Sequence, residues 1–90
     1  MDYDWDNEKA IANILKHKVD FADAVGVFDE PFALSMADPT PHEQRFVALG
    51  VDVLGRALVV IYTYRGARIR IISARRATPA ERRNYEQGDA

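Results

Sequence analysis

The side chains best suited to chemistry in this sequence are arginines, and all nine of them fall after residue 44. A guanidinium stays charged and donates bidentate hydrogen bonds from a planar fork. It therefore clamps a phosphate well and serves poorly as a base. Arg45, Arg75 and Arg76 are the candidates for holding a phosphate. Arg68 and Arg70 alternate along an apolar stretch and share one face, where they could extend a cationic track for a nucleic-acid backbone. Proton transfer near neutral pH suits an imidazole. His17 is the candidate, because the other histidine, His42, sits in a proline-containing loop. Lys16 beside it could act as a cationic helper, and Tyr85 could stack on a base or assist proton transfer. Each residue also has a structural reading. The arginines could pair with the acidic first half of the chain, and Arg68 and Arg70 could be the wet face of a half-buried strand. His17 could bond the last carbonyls of a helix, and Tyr85 could pack a helix onto a sheet.

The charges are unevenly placed. Residues 1–43 carry ten carboxylates and three lysines, and residues 44–90 carry four carboxylates and nine arginines. The halves therefore stand at −7 and +5 within a net charge of −2. Such asymmetry marks either a nucleic-acid surface or two halves that pair within the fold, and the acidic total argues against simple DNA coating.

Other chemistries lack their parts. Without cysteine there is neither a disulfide nor a thiolate metal site. Two histidines without an i, i+4 pairing give no zinc site. Asp2, Asp4 and Asp6 alternate, but the glycine and glutamate of a calcium loop do not follow at the required places. There is no glycine-rich phosphate loop, and Ser73 lacks the residues of a nucleophile elbow. Neither a metal nor a cofactor is expected. The N-terminus is acidic where a secretory leader would be basic and then apolar, and the longest apolar run, Ala57 to Tyr64, is too short to cross a bilayer. A cytoplasmic protein without a membrane role is expected.

The elements that must position these residues follow from pattern and caps. Ninety residues suggest a single domain over 1–90. Asp6 caps a predicted helix over Asn7 to His17, with an apolar stripe at Ile11, Ile14 and Leu15 and a separate row at Lys9, Asn13 and His17. Asp20 caps a second helix, Phe21 to Phe28, closed by Asp29-Glu30-Pro31. Phe32 to Met36 reads as a short strand, and Ala37 to Gln44, with two prolines, as a loop. Strands are predicted over Arg45–Val53, Ala57–Tyr64 and Ala67–Ala74, with turns at Leu54-Gly55-Arg56 and Arg65-Gly66. The middle strand, almost wholly apolar, should be central. Simple alternation places Arg75 on the face of Ile69 and Ile71, the core side, unless the strand ends or bulges by Ser73. Thr78-Pro79-Ala80-Glu81 starts a last helix, which Gly88 stops. The expected class is α+β: two N-terminal helices, an antiparallel sheet of three to four strands and a C-terminal helix.

Tyr3-Asp4-Trp5-Asp6, Lys9, Asn13, Lys16-His17, Val19 and Phe21 resemble the opening of the BrnT family of toxins. Arg45 to Gly50 resembles the family's first long strand, and Arg68 to Ala77 its last strand and the following turn. Glu81-Arg82-Arg83 and Tyr85 resemble its final helix. One departure is Lys18, where the family usually has glycine, a residue that takes a positive φ readily. The resemblance implies a RelE-like fold and a metal-free endoribonuclease that stops translation and growth. It implies neutralisation by a BrnA-like ribbon-helix-helix antitoxin, with operator DNA contacted only through that antitoxin. In such an enzyme Arg45, Arg75, Arg76, His17, Lys16 and Tyr85 would share phosphorane stabilisation and proton transfer, while Arg68 and Arg70 would hold flanking RNA. The alternative is a catalytically inactive domain of the same fold that binds a DNA-binding antitoxin and cuts nothing.

Overall fold

The computed structural model describes residues 2–38 and 44–88. Most of the expected 37–44 loop, His42 included, lies at 39–43, outside the described residues. Five strands form one sheet: β1 (Asp2–Asp4), β2 (Leu34–Asp38), β3 (Arg45–Val51), β4 (Ala57–Arg65) and β5 (Arg68–Arg76), in the order β1-β5-β4-β3-β2. Neighbours run antiparallel except β1, which is parallel to β5. The helical segments are α1 (Asn7–His17), α2 (Phe21–Ala24), α3 (Gly26–Asp29) and α4 (Pro79–Gln87). The class is α+β as expected.

Three details correct the sequence expectation. The sheet has five strands and is mixed, because Asp2–Asp4 pairs with Arg68–Arg70. A three-residue strand carries no readable period; it exists through its partner, with Asp4 facing Arg68 and Arg70 and Tyr3 aligned with Ile69. The second helix is broken at Val25 into two single turns. Beside the break, a Cβ on Gly26 would lie 2.7 Å from Val53 Cγ1 and 2.8 Å from the Val53 nitrogen, so only glycine lets the β3–β4 turn pack there.

The third correction concerns α1. Its expected apolar stripe points outward, with Ile11 61 % and Leu15 70 % exposed. The face toward the sheet carries buried Asn13 and half-buried Ala10 and His17. Polarity did not decide the orientation; hydrogen bonding did. Asn13 Nδ2 donates to the Val19 carbonyl at 2.9 Å and to the Ala74 carbonyl at 2.8 Å, and the Ala74 N–H donates to Asn13 Oδ1 at 3.2 Å. Strand β1 covers β5 only as far as Arg70, and the Asn13 amide continues the pairing at Ala74 in place of a strand. Lys18 closes α1 at φ 62°, the left-handed conformation that glycine takes more readily.

Between the sheet and the α1–α3 layer lies the core, with Val19, Phe21, Val27, Leu58, Val60, Ile69, Ile71 and Ala74 buried. Trp5 anchors the start of α1 by an edge-on contact with Phe21, ring centroids 6.0 Å apart. Strand β4 is central, and its Leu58–Val60 segment is buried on both faces. A bulge decides the parity of β5. Ile61 pairs with Ser73 but Tyr62 pairs with Ile71, so Ile72 is the extra residue. Ala74 then joins Ile69 and Ile71 in the core, and Arg75 turns to the other face. That face is partly covered by α4, whose Glu81 and Asn84 sit over Val47, Leu49 and Val59.

Candidate functional site

The sequence-predicted residues separate into two groups at opposite ends of the sheet. Arg45 opens β3 beside the Tyr62 end of β4, and Arg68 and Arg70 open β5 at that same end. Eight residues of strand separate Arg68 from Arg76, roughly 25 Å at the usual rise. Arg70 lies 3.3 Å and Arg68 4.0 Å from the Asp4 carboxylate, so both are engaged by the acidic first half of the chain.

At the other end, the structure brings Arg76 and Tyr85 together. They line a hollow of about 250 Å³ with Arg56, Arg82, Glu86 and the Ala77 segment. Arg76 comes from the end of β5, Arg82 and Tyr85 come from α4, and Arg56 comes from the β3–β4 turn. Arg76 and Arg82 are exposed and make no side-chain hydrogen bond or ion pair among the described residues. Burial, and secondly the nearby Glu30 carboxylate, hold the Tyr85 phenol above its ordinary pKa. It therefore keeps its proton at neutral pH.

Two built supports hold this end. Arg75 forks onto Glu81, with Nη1–Oε1 2.8 Å and Nη2–Oε2 2.9 Å, and its Nη1 also donates to the Arg76 carbonyl at 3.2 Å. Glu81 completes a capping box with Thr78 at the start of α4. One carboxylate thus fixes the angle between the end of β5 and α4, and with it the positions of Arg76, Arg82 and Tyr85. The fork of Arg75 is already filled by Glu81. The second support is Asp52. Its fully buried carboxylate accepts from the backbone of Leu54 and Arg56 and from the Arg56 guanidinium at 2.7 and 2.9 Å. Arg56 Nη1 then donates to the Lys18 carbonyl at 3.0 Å and ties the end of α1 to the rim. Lys16 and His17 belong to that last turn of α1, Lys16 exposed and His17 half-buried.

Arg56, Asp52 and Arg82 were not among the residues read from the sequence as site candidates. Asp52-Val53-Leu54-Gly55-Arg56 does carry a signal for the turn, an aspartate that bonds the backbone two residues on. Nothing local announces that Arg56 reaches Lys18.

The Arg75 fork holds the Glu81 carboxyl down from an ordinary 4.5 to about 2. A depressed acid stabilises the fold above its unfolded pKa and loses that contribution as pH falls through the folded value. Glu81→Gln should therefore melt a few degrees below the parent at neutral pH. The cost is about 1 kcal/mol, kept small because both partners are partly exposed. The gap should close between pH 4.5 and pH 2 in melting curves taken across that range. A gap unchanged by acid would show that the charge of Glu81 contributes nothing.

A five-stranded mixed sheet with helical layers on both faces and an arginine-lined hollow at one end defines a small α+β protein with an anion-receptive surface. It is similar to the crystal structure of the Brucella abortus ribonuclease toxin BrnT, at 30 % identity and a TM-score of 0.66 over 87 % of this chain and 97 % of that one. Residues 5–81 match the family described as the ribonuclease toxin BrnT of type II toxin–antitoxin systems. The chain belongs to that family. Among curated proteins no relative matches. The matched segment takes in Arg75, Arg76 and Glu81 and stops just before Arg82. Among the described residues no helix is long and apolar enough to cross a membrane, and no cluster of acidic or histidine side chains could hold a metal.

Proposed function

We propose that this chain is a metal-independent endoribonuclease whose toxicity is held in check by a BrnA-like ribbon-helix-helix antitoxin. It acts in the cytoplasm, with residues 1–90 working as one unit, and reaches operator DNA only through that antitoxin. The observation that supports the reading is the hollow that Arg76 and Arg82, unpaired among the described residues, line together with Tyr85. Two guanidinium groups can take the charge that builds on a phosphorane. The 2′-hydroxyl of the RNA loses its proton and attacks the adjacent phosphorus. The bond to the 5′-oxygen breaks, and that oxygen takes a proton, a step we assign to Tyr85. His17, with Lys16 beside it, is assigned the proton removal. Arg45, Arg68 and Arg70 hold flanking phosphates on the arginine-bearing face of the sheet.

Purified protein should cut RNA in excess EDTA and leave a 2′,3′-cyclic phosphate, or its 3′-phosphate hydrolysis product, and a free 5′-hydroxyl. A single 2′-deoxynucleotide at the cut site should stop the reaction. Cleavage of all-DNA substrate, or cleavage only after magnesium is added, would sink this mechanism. The carboxylates that already engage Arg68, Arg70 and Arg75 favour a second reading, a non-catalytic member that binds its antitoxin partner. Growth without arrest and intact cellular RNA on expression would select it.

A further inference from the structure

The outward ridge of α1 has nothing over it. Ile11, Ile14 and Leu15 follow i, i+3, i+4 and are 61 %, 40 % and 70 % exposed. On a helical projection Leu15 points directly away from the sheet with Ile11 beside it, because the inward positions are Ala10, Asn13 and His17. Three large aliphatic side chains at this spacing make a contiguous patch of the kind that marks an interaction site, whereas single exposed apolar residues would mean nothing. The fold does not need them there, since Asn13 and the α1–β5 packing hold the helix. The ends of the ridge carry opposite charges: Glu8 in the first turn, and Lys18 at the close. Lys18 Nζ is kept at the stripe by a 3.3 Å hydrogen bond to the Leu15 carbonyl.

We propose that this ridge is the docking site for an amphipathic helix of the antitoxin, lying antiparallel to α1. Apolar residues of that helix at i, i+3, i+4 cover Ile11, Ile14 and Leu15, and its acidic N-terminal turn meets Lys18. The inference rests on the toxin–antitoxin reading above, in which the partner is a protein. Charge order supports the antiparallel sense, because helices favour acids at their start and bases at their end. Area argues against a second copy of this chain. Three side chains per protomer fall well short of the roughly 800 Å² per partner of a stable interface, but they suffice as the anchor of a larger one. RNA would seek guanidinium and aromatic groups, which the ridge lacks. Ile11, Ile14 and Leu15 lie on a different face of α1 from Lys16 and His17 and take no part in the proposed cleavage, so antitoxin capture and RNA cleavage are separable by mutation.

The test uses the full chain and, as probe, its purified cognate antitoxin. Ile11→Glu with Leu15→Glu places good helix formers at two exposed positions, so melting should stay near the parent value. The pair should weaken antitoxin binding by roughly 30-fold or more in calorimetric titration, the scale of a lost hot spot. It should leave the RNA cleavage rate unchanged, giving a toxin that escapes neutralisation. Met36→Glu, on exposed strand β2, should bind as the parent does. Binding of the double variant within about twofold of the parent overturns the proposal. So does loss of cleavage with binding intact, or a parent dimer that the two substitutions turn into a monomer. A parent that binds no such antitoxin overturns it as well. A parent that binds through the ridge but cuts no RNA would refute the ribonuclease mechanism and leave this inference standing.

Discussion

Arg76→Ala is expected to slow RNA cleavage by about 10²–10³-fold, the usual consequence of removing a donor that stabilises charge in a transition state. Melting should move by no more than about 3 °C, because the side chain is exposed and pairs with nothing among the described residues. Most of the loss should fall on kcat, since the second guanidinium, Arg82, still contributes to binding the ground-state phosphodiester. Tyr85→Phe keeps the ring and removes the proton, so it should lower kcat while leaving KM nearly unchanged. Arg75→Ala makes the informative contrast. It frees Glu81, loosens α4 against β5 and displaces Arg82 and Tyr85 together, so both activity and melting temperature should fall. If Arg75→Ala melts like the parent and loses all cleavage while Arg76→Ala remains active, the phosphate is held by Arg75. The two arginines would then exchange roles, Arg75 as the clamp and Arg76 as its neighbour on the rim.

The adjacent positions of Arg75 and Arg76 show where sequence reasoning carried and where it stopped. Caps and periods placed α1, α4 and strands β3 to β5 nearly to the residue, because Asp6, Thr78 with Glu81, and Gly88 act within one turn of chain. The family resemblance was legible too, being spread along the whole chain. The parity of Arg75 was legible only as two alternatives, plain alternation or a bulge by Ser73. It depends on one unpaired residue, Ile72, whose position is set by pairing with β4. The partner of Arg75 was out of reach for a similar reason. The acidic first half is one possible counter-charge for the arginines, and it serves Arg68 and Arg70 through Asp4. Arg75 instead pairs with the capping-box glutamate six residues on, Glu81. The hollow escaped notice because it is assembled from the β3–β4 turn, the end of β5 and α4, three pieces related only by tertiary packing.

The orientation of α1 was the clearest failure of periodicity, and it carries the largest stability effect. Asn13→Leu preserves most of the volume and should lower the melting temperature by roughly 15–30 °C. The three hydrogen bonds of Asn13 satisfy the N–H and carbonyl of Ala74 and the carbonyl of Val19, all buried. An apolar replacement leaves these backbone groups without partner or water, at about 1–3 kcal/mol for each such group. Partial relaxation brings the total to about 3–5 kcal/mol, a large part of what a small domain has. The substitution also removes the reason for α1 to face the sheet with its polar side. Ile11, Ile14 and Leu15 would then compete to turn inward, which would appear as broadened unfolding as well as a lower midpoint. Asn13→Asp separates hydrogen bonding from shape. Its carboxylate can still accept from the Ala74 N–H but would face the Ala74 and Val19 carbonyls with no proton to give. It should be as destabilising as leucine at pH 7 and should recover part of the loss in acid, when protonation restores one donor. A leucine variant that melts within about 3 °C of the parent would mean that the α1 layer is held by its apolar contacts with Val19, Phe21 and Ala74, and that the amide of Asn13 is incidental.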